Sequence, residues 1–216
     1  RKQFLYENRK NVKAAIIVWD QQEKYLDRKH VIEAAWNWIN MTIPVISSTF
    51  ASFSRMCKNL GAETLGHLFI DEAGQALPQA AVGAIYRSRH VMVVGDPLQI
   101  KPVLTLDSNT LYMLGEHFGV TEKYLSASAS AQILADAASQ YGFYRKQDKA
   151  EDSWVGIPLW VHRRCRYPMF TISNMISYDG FMVQGMEKYG KADWFDVGGM
   201  ANNKYVEEQG EFLLHK

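Results

Sequence analysis

Cysteine, net charge and long apolar runs are all scarce in this chain of 216 residues. The two cysteines, Cys57 and Cys165, are far apart, so the sequence offers neither a disulfide framework nor a Cys-rich zinc motif. Apolar runs are only a few residues long, and we expect no membrane span, which needs about 20 such residues. Reduced cysteines favour a cytoplasmic protein. With a formal net charge of +1, any binding of nucleic acid would depend on local patches.

Hydrophobic residues make up 47% of the chain, which is ample for a buried core. Residues 1–40 carry apolar side chains at helical spacing and predict helices packed on a sheet. Residues 75–86 and 126–141 also predict helices, the second with Ser126 as a possible cap and Gly142 as its stop.

Short apolar runs alternate with these helical stretches, and each run ends in polar residues. Continuous apolar runs are typical of strands that are covered on both faces, as in a parallel sheet flanked by helices. The alternation therefore predicts a doubly wound α/β fold. The runs are residues 44–46, 68–70, 91–94 and 159–161.

Ligands of such sheets bind beyond the carboxyl ends of the strands. Asp71 and Glu72 follow one apolar run and Gly95 and Asp96 follow the next. An adjacent carboxylate pair after a strand is the Walker B arrangement, in which the first carboxylate holds magnesium through its water shell. The second can orient and deprotonate an attacking water.

Several segments resemble motifs of superfamily 1B helicases of the DEAxQ type, the group that contains the nonsense-mediated-decay helicase. Motif II resembles residues 71–76, DEAGQA, and motif III, GDxxQLPPV, is similar to residues 95–103, GDPLQIKPV. Motif IV, QYRMHP, resembles residues 162–168, HRRCRYP, with Arg164 at the motif's arginine. The motif Ic loop resembles residues 48–50. The resemblance covers residues 44–180.

The resemblance implies an α/β, RecA-like P-loop NTPase fold, a parallel sheet flanked by helices. Residues 1–105 would form a partial first lobe, which carries motifs Ic, II and III. Residues 106–216 would supply connecting helices and the beginning of a second lobe with motif IV.

The resemblance also implies roles for individual residues, with ATP and Mg²⁺ as cofactors and DNA or RNA as the partner. No obligate protein partner is evident. Asp71 would hold magnesium, Asp96 would help to bind the nucleotide, and Arg164 would place a cation on the transferring phosphoryl group. Glu72 would be the catalytic base. Gln75 and Gln99 would sense the γ-phosphate or the attacking water. The nucleic-acid backbone would be contacted by Ser48, Thr49 and Phe50.

Some positions depart from the family pattern. Lys101 stands where the family often has Pro, and Arg163 replaces the Tyr of motif IV. Cys165 and Arg166 replace Met and His, and we expect Cys165 to pack in the core.

The sequence contains no GxxxxGK[ST] phosphate loop and no arginine-rich motif VI. In the family these motifs flank the segment that this chain resembles. We therefore expect an internal piece of a longer motor protein, inactive by itself. The alternative is a nucleic-acid-binding or assembly module with a helicase-like fold and no motor activity. Another kind of α/β ATPase is disfavoured by residues 95–99 and by Arg164.

Overall fold

The computed structural model describes residues 1–96, 98, 100–104, 106–121, 124–125, 129–145, 153–187 and 189–215. Contacts divide the chain into two compact units, Arg1–Ile157 and Pro158–Lys216. This division lies well past the boundary predicted after residue 105. The fold is mixed, with helices, two parallel strand pairs and one antiparallel pair among the described residues, which agrees with the α/β class.

The predicted N-terminal helical region is confirmed. Its apolar spacing places Ile32 and Trp36 on one face of a helix, where they pack with Cys57 and Leu60 in a buried cluster. The first helices are α1 (Lys2–Glu7), α2 (Arg9–Asp20), α3 (Lys29–Thr42) and α4 (Phe50–Met56), with a 3₁₀ turn at Gln22–Tyr25.

The strand predicted at residues 44–46 is wrong. After α3 ends, residues 45–49 form no regular element, and the Val45 side chain is 81% exposed. Pro44 has no N–H to donate to a sheet, which opposes pairing at this point. The Thr49 hydroxyl instead accepts a hydrogen bond from the Ser52 N–H and caps α4.

A parallel strand pair forms the centre of the first unit. Strand β1 (Leu65–Ile70) pairs with β2 (Ser88–Val93), from Leu65 opposite Ser88 to Ile70 opposite Val93. Helix α5 (Pro78–Tyr86) connects them and begins with proline, whose fixed φ suits a first helical turn. Both apolar runs were therefore correctly predicted as parallel strands.

Only one face of this strand pair is covered in the described structure. Ile70 packs with Ala73, Ala81 and Ala131 in a second buried cluster. On the other face Phe69 is 68% exposed and Met92 is 56% exposed. The expectation of helices on both faces is thus wrong for the described residues.

Helix α7 (Ala131–Ala138) packs against α5, β2 and the segment that follows β1. The Ala131 N–H donates to the Ala76 carbonyl at 2.9 Å, which explains why the unit extends beyond residue 105. Ser130 caps α7, while the expected cap, Ser126, lies outside the described residues. The predicted stop at Gly142 is wrong because the helix has already ended at Ala138. The elements are α6 (Ser108–Phe118), α7 (Ala131–Ala138) and the antiparallel strands β3 (Phe143–Arg145) and β4 (Ser153–Val155).

The second unit has its own small parallel pair. The strand predicted at residues 159–161 forms slightly later, at Val161–His162. Buried Asn174 exchanges two hydrogen bonds of 3.0 Å with the Met182 backbone, which fixes the turn after the helix that contains Asn174. The elements are β5 (Val161–His162), α8 (Met169–Tyr178), β6 (Val183–Gln184) and α9 (Glu207–Leu214).

None of the helices that the structure describes is long and apolar enough to cross a bilayer.

Cys57 makes the stability of the first cluster dependent on pH. Burial raises the pKa of this thiol from 9.0 to about 11, against a smaller lowering by Arg87. The pKa of the thiol is higher in the folded chain than in the unfolded one. The contribution of the neutral thiol to the free energy of unfolding is therefore complete below pH 9.0 and is lost towards about pH 11. We expect the free energy of unfolding to fall more steeply over this range in the wild-type chain than in Cys57→Ala. Urea unfolding at several pH values measures both slopes, and parallel slopes would contradict the prediction.

Candidate functional site

The polar residues after β1 and β2 lie at one edge of the strand pair. The Val94 N–H donates to the Ile70 carbonyl at 2.8 Å, and the Ala73 N–H donates to the Val94 carbonyl at 3.0 Å. Backbone pairing therefore continues beyond the last strand residues. It brings Asp71 and Glu72 to the same edge as Asp96, as the sequence predicts for the carboxyl ends of parallel strands.

Two glycines permit this close approach. A Cβ at Gly95 would lie 2.6 Å from the Gly74 nitrogen and 2.7 Å from the Ala73 nitrogen. A Cβ at Gly74 would overlap the Asp96 carbonyl group. Neither glycine has a positive φ, so backbone contact, and not an unusual dihedral angle, requires glycine at both positions.

Glu72 has a left-handed backbone, with φ 52° and ψ 36°. For a residue with a side chain, this conformation costs about 1–2 kcal/mol. The Glu72 N–H donates to Asp71 Oδ1 at 2.9 Å, which partly offsets that cost. The turn leads into a 3₁₀ helix at Ala73–Gln75.

The same turn brings two of the predicted catalytic side chains together. Gln75 Nε2 donates to Glu72 Oε2 at 3.2 Å, and both side chains are exposed at the edge. An exposed carboxylate beside an amide can hold a water molecule between acceptor and donor groups. The geometry is therefore suited to orienting a nucleophilic water.

Asp96 caps the turn that follows β2, because its Oδ1 accepts the Leu98 N–H at 3.0 Å. Gln99, the other candidate in this segment, lies outside the described residues. The structure thus brings Asp96 to the edge with Asp71 and Glu72.

The described carboxylates at this edge suit a hydrated magnesium ion although they form no metal cage. Among the described residues, no three His, Cys, Asp or Glu side chains cluster closely enough to form a metal cage. Magnesium does not require one, since it binds through one or two carboxylates and keeps several waters. Asp71 is exposed and Asp96 is half-buried, so the donor set fits a hydrated magnesium ion.

The three candidate nucleic-acid residues differ in their surroundings. Ser48 is exposed, and its hydroxyl donates to the Thr49 carbonyl at 3.0 Å. The Thr49 hydroxyl is the cap of α4. Phe50 is half-buried against the cluster around Ile70, so its ring contributes to the core and is partly withdrawn from the surface.

Arg164 belongs to the second unit and is exposed in the turn between β5 and α8. The Cys165 N–H donates to His162 Nε2 at 2.9 Å, which stabilises that turn. Cys165 itself is only half-buried, so the expectation that it packs fully in the core is wrong.

Sequence reasoning missed two residues that lie behind the acidic edge, as we call the surface formed by Asp71, Glu72 and Asp96 at the ends of β1 and β2. Gln132 and Asp136 lie one turn apart on α7, and Gln132 Oε1 would be 3.0 Å from a Cβ at Gly95. Asp136 is 7% exposed, which is unusual for a carboxylate. The i, i+4 spacing was visible in the sequence, but nothing there indicated that this face of the helix is buried.

A cavity of about 370 Å³ lies elsewhere, along α6. Leu111, Tyr112, Gly115 and Leu125 contribute to its mostly apolar wall, and the Tyr112 hydroxyl donates to Glu116 at 2.9 Å. None of the described candidate site residues lines it.

Comparison with known proteins adds no relative: no family matches the chain, and neither curated proteins nor solved structures are significantly similar to it. An assignment of function therefore depends on the motifs and on the geometry of the acidic edge.

The glycine contact can be tested by adding one methyl group. In Gly74→Ala the new Cβ meets the rigid Asp96 backbone, and we expect the free energy of unfolding to fall by about 1–3 kcal/mol. Gly66 is the matched control, since a Cβ there meets nothing within 4 Å. Gly66→Ala should change stability by no more than roughly 0.5 kcal/mol. Urea unfolding measures both, and equal effects would refute the contact.

Proposed function

We propose that this chain is part of an ATP-dependent superfamily 1 helicase or translocase and that its acidic edge hydrolyses ATP. The observation that supports this most strongly is the convergence of Asp71, Glu72 and Asp96 at the ends of two parallel strands. Two motifs of the same helicase group coincide with these strand ends. In this proposal the first unit is part of a RecA-like lobe and Arg164 belongs to the next lobe.

Each residue at the edge then has a chemical role. Asp71 would hold a hydrated magnesium ion, which would supply positive charge to neutralise the phosphates. Glu72 accepts a proton from the attacking water, and Gln75 orients that water through its carboxamide. Gln99 would sense the γ-phosphate.

Arg164 supplies a positive charge to the phosphoryl group during transfer. Its planar guanidinium can donate two parallel N–H bonds to two phosphate oxygens, a bidentate geometry that an ammonium group does not offer. Its exposure in the β5–α8 turn is compatible with this role, because the guanidinium is not enclosed in the core of its own unit.

The track is a nucleic acid, DNA or RNA, in a cytoplasmic protein. The Ser48 and Thr49 hydroxyls lie just before α4, and hydroxyl groups can bind phosphate without reading sequence. Because Phe50 is half-buried, we assign the contact mainly to Ser48.

The proposal requires a phosphate loop from outside these 216 residues, since the sequence contains none. We therefore expect the chain alone to bind ATP and magnesium weakly and to hydrolyse it negligibly. Isothermal titration calorimetry on the purified chain measures this. Micromolar binding would contradict it.

Glu72 is the direct test of hydrolysis in the protein that combines this chain with a phosphate loop. Glu72→Gln should retain ATP binding but lower turnover by at least about 100-fold, because the amide cannot accept the proton. Glu63→Gln is the matched control, since Glu63 also has a left-handed backbone, with φ 54°. Normal turnover in Glu72→Gln would exclude its role as base. Nucleic-acid binding without any turnover in the wild type would favour the non-motor module.

A further inference from the structure

The helix behind the acidic edge contains a polar pair, half-buried Gln132 and buried Asp136. Gln132 Nε2 donates to Asp136 Oδ1 at 3.0 Å, and the same oxygen accepts the Gly156 N–H at 3.1 Å. The pair therefore connects α7 both to the strand end at Gly95 and to the segment after β4.

The Asp136 carboxylate fixes the orientation of the Gln132 amide. An ionised carboxylate can only accept hydrogen bonds, so the NH₂ group of Gln132 must face it. The other end of the amide, Oε1, is then directed at Gly95. It lies 3.0 Å from the position that a Cβ on Gly95 would occupy.

Gln132 Oε1 is buried and has no hydrogen-bond partner among the described residues. A buried acceptor without a donor costs about 1–3 kcal/mol. Packing alone does not explain this arrangement, because an apolar side chain of similar size would avoid that cost. Such exceptions to local stability are typical of functional sites.

We propose that Gln132 and Asp136 are positioning residues that fix the Gly95–Asp96 backbone at the acidic edge. The amide oxygen lies on the side of Gly95 that also faces the Gly74 and Ala73 nitrogens, and it limits how far the Gly95 backbone can shift in that direction. Asp136 keeps that oxygen in place. The catalytic consequence rests on the function proposed above, whereas the positioning itself does not.

Exchange of donor and acceptor within the pair separates this role from simple packing. Gln132→Glu places two carboxylates against each other, so the pair separates. Asp136→Asn alone keeps an oxygen that can accept from both Gln132 and Gly156, so the Gln132 amide should keep its wild-type orientation. In the variant that combines both substitutions, the new amide on the second turn of α7 donates to one oxygen of the new carboxylate. The other oxygen of that carboxylate then faces Gly95, as the amide oxygen does in the wild type.

The test is the amide NMR spectrum of the ¹⁵N-labelled chain. We expect Gln132→Glu to shift the signals of Gly95, Asp96 and Gly156, Asp136→Asn to shift them much less, and the double variant to return them towards wild-type positions. Gln140→Glu is the control, since it adds the same charge at an exposed site just beyond α7. Unchanged Gly95 and Asp96 signals in Gln132→Glu, or no return in the double variant, would overturn the proposal. If a single variant does not fold, the double variant should fold again, and a double variant that also fails to fold would overturn the proposal equally.

Kinetics of the protein that carries the chain with a phosphate loop provide the second readout. Gln132→Glu should lower kcat by roughly 100-fold with little change in KM, as expected for a small displacement of catalytic groups. The double variant should recover most of this loss, and equal kcat values in all variants would overturn the catalytic consequence. Absence of ATPase activity in the wild type would instead refute the proposed function and leave the NMR result to decide the positioning.

Discussion

Two backbone hydrogen bonds beyond the strand ends, from Val94 N–H to the Ile70 carbonyl and from Ala73 N–H to the Val94 carbonyl, determine where the candidate site lies. They hold the segments that leave β1 and β2 side by side. Because the pairing is parallel, both strands present their carboxyl ends at the same edge. An antiparallel pairing would place Asp71 and Asp96 at opposite ends, and a shift by one residue would turn the side chains to the other face.

That pairing also explains the unusual local features of the edge. Gly74 and Gly95 are in contact because neither carries a Cβ, and Glu72 adopts a left-handed conformation in the sharp turn between Asp71 and Ala73. Strain of this kind persists when the surrounding structure determines the backbone. Here the buried cluster under Ala73 and the first turn of α7 supply that constraint. The left-handed backbone at Glu72 lowers stability but sets the position and direction of the Glu72 carboxylate.

The sequence predicts this edge well because short apolar runs ending in Asp71-Glu72 and Gly95-Asp96 are local signals. It does not predict whether residues 44–46 pair, since strand formation requires a neighbour and Pro44 opposes one. Cys165 and Gly142 were misjudged because burial and the end of a helix depend on tertiary packing. The burial of Asp136 was not predicted for the same reason: a carboxylate on a helix is ordinarily exposed, and here tertiary contacts such as the hydrogen bond from the Gly156 N–H bury it.

Amide hydrogen exchange of Ala73 and Val94 tests the central claim most directly, namely that the strand ends remain paired at the acidic edge. If they do, these two amides open only with β1 and β2, and their exchange free energies equal those of the strand amides. Exchange of Ala73 and Val94 at the rates of an unstructured loop, with the strand amides still protected, would contradict the account.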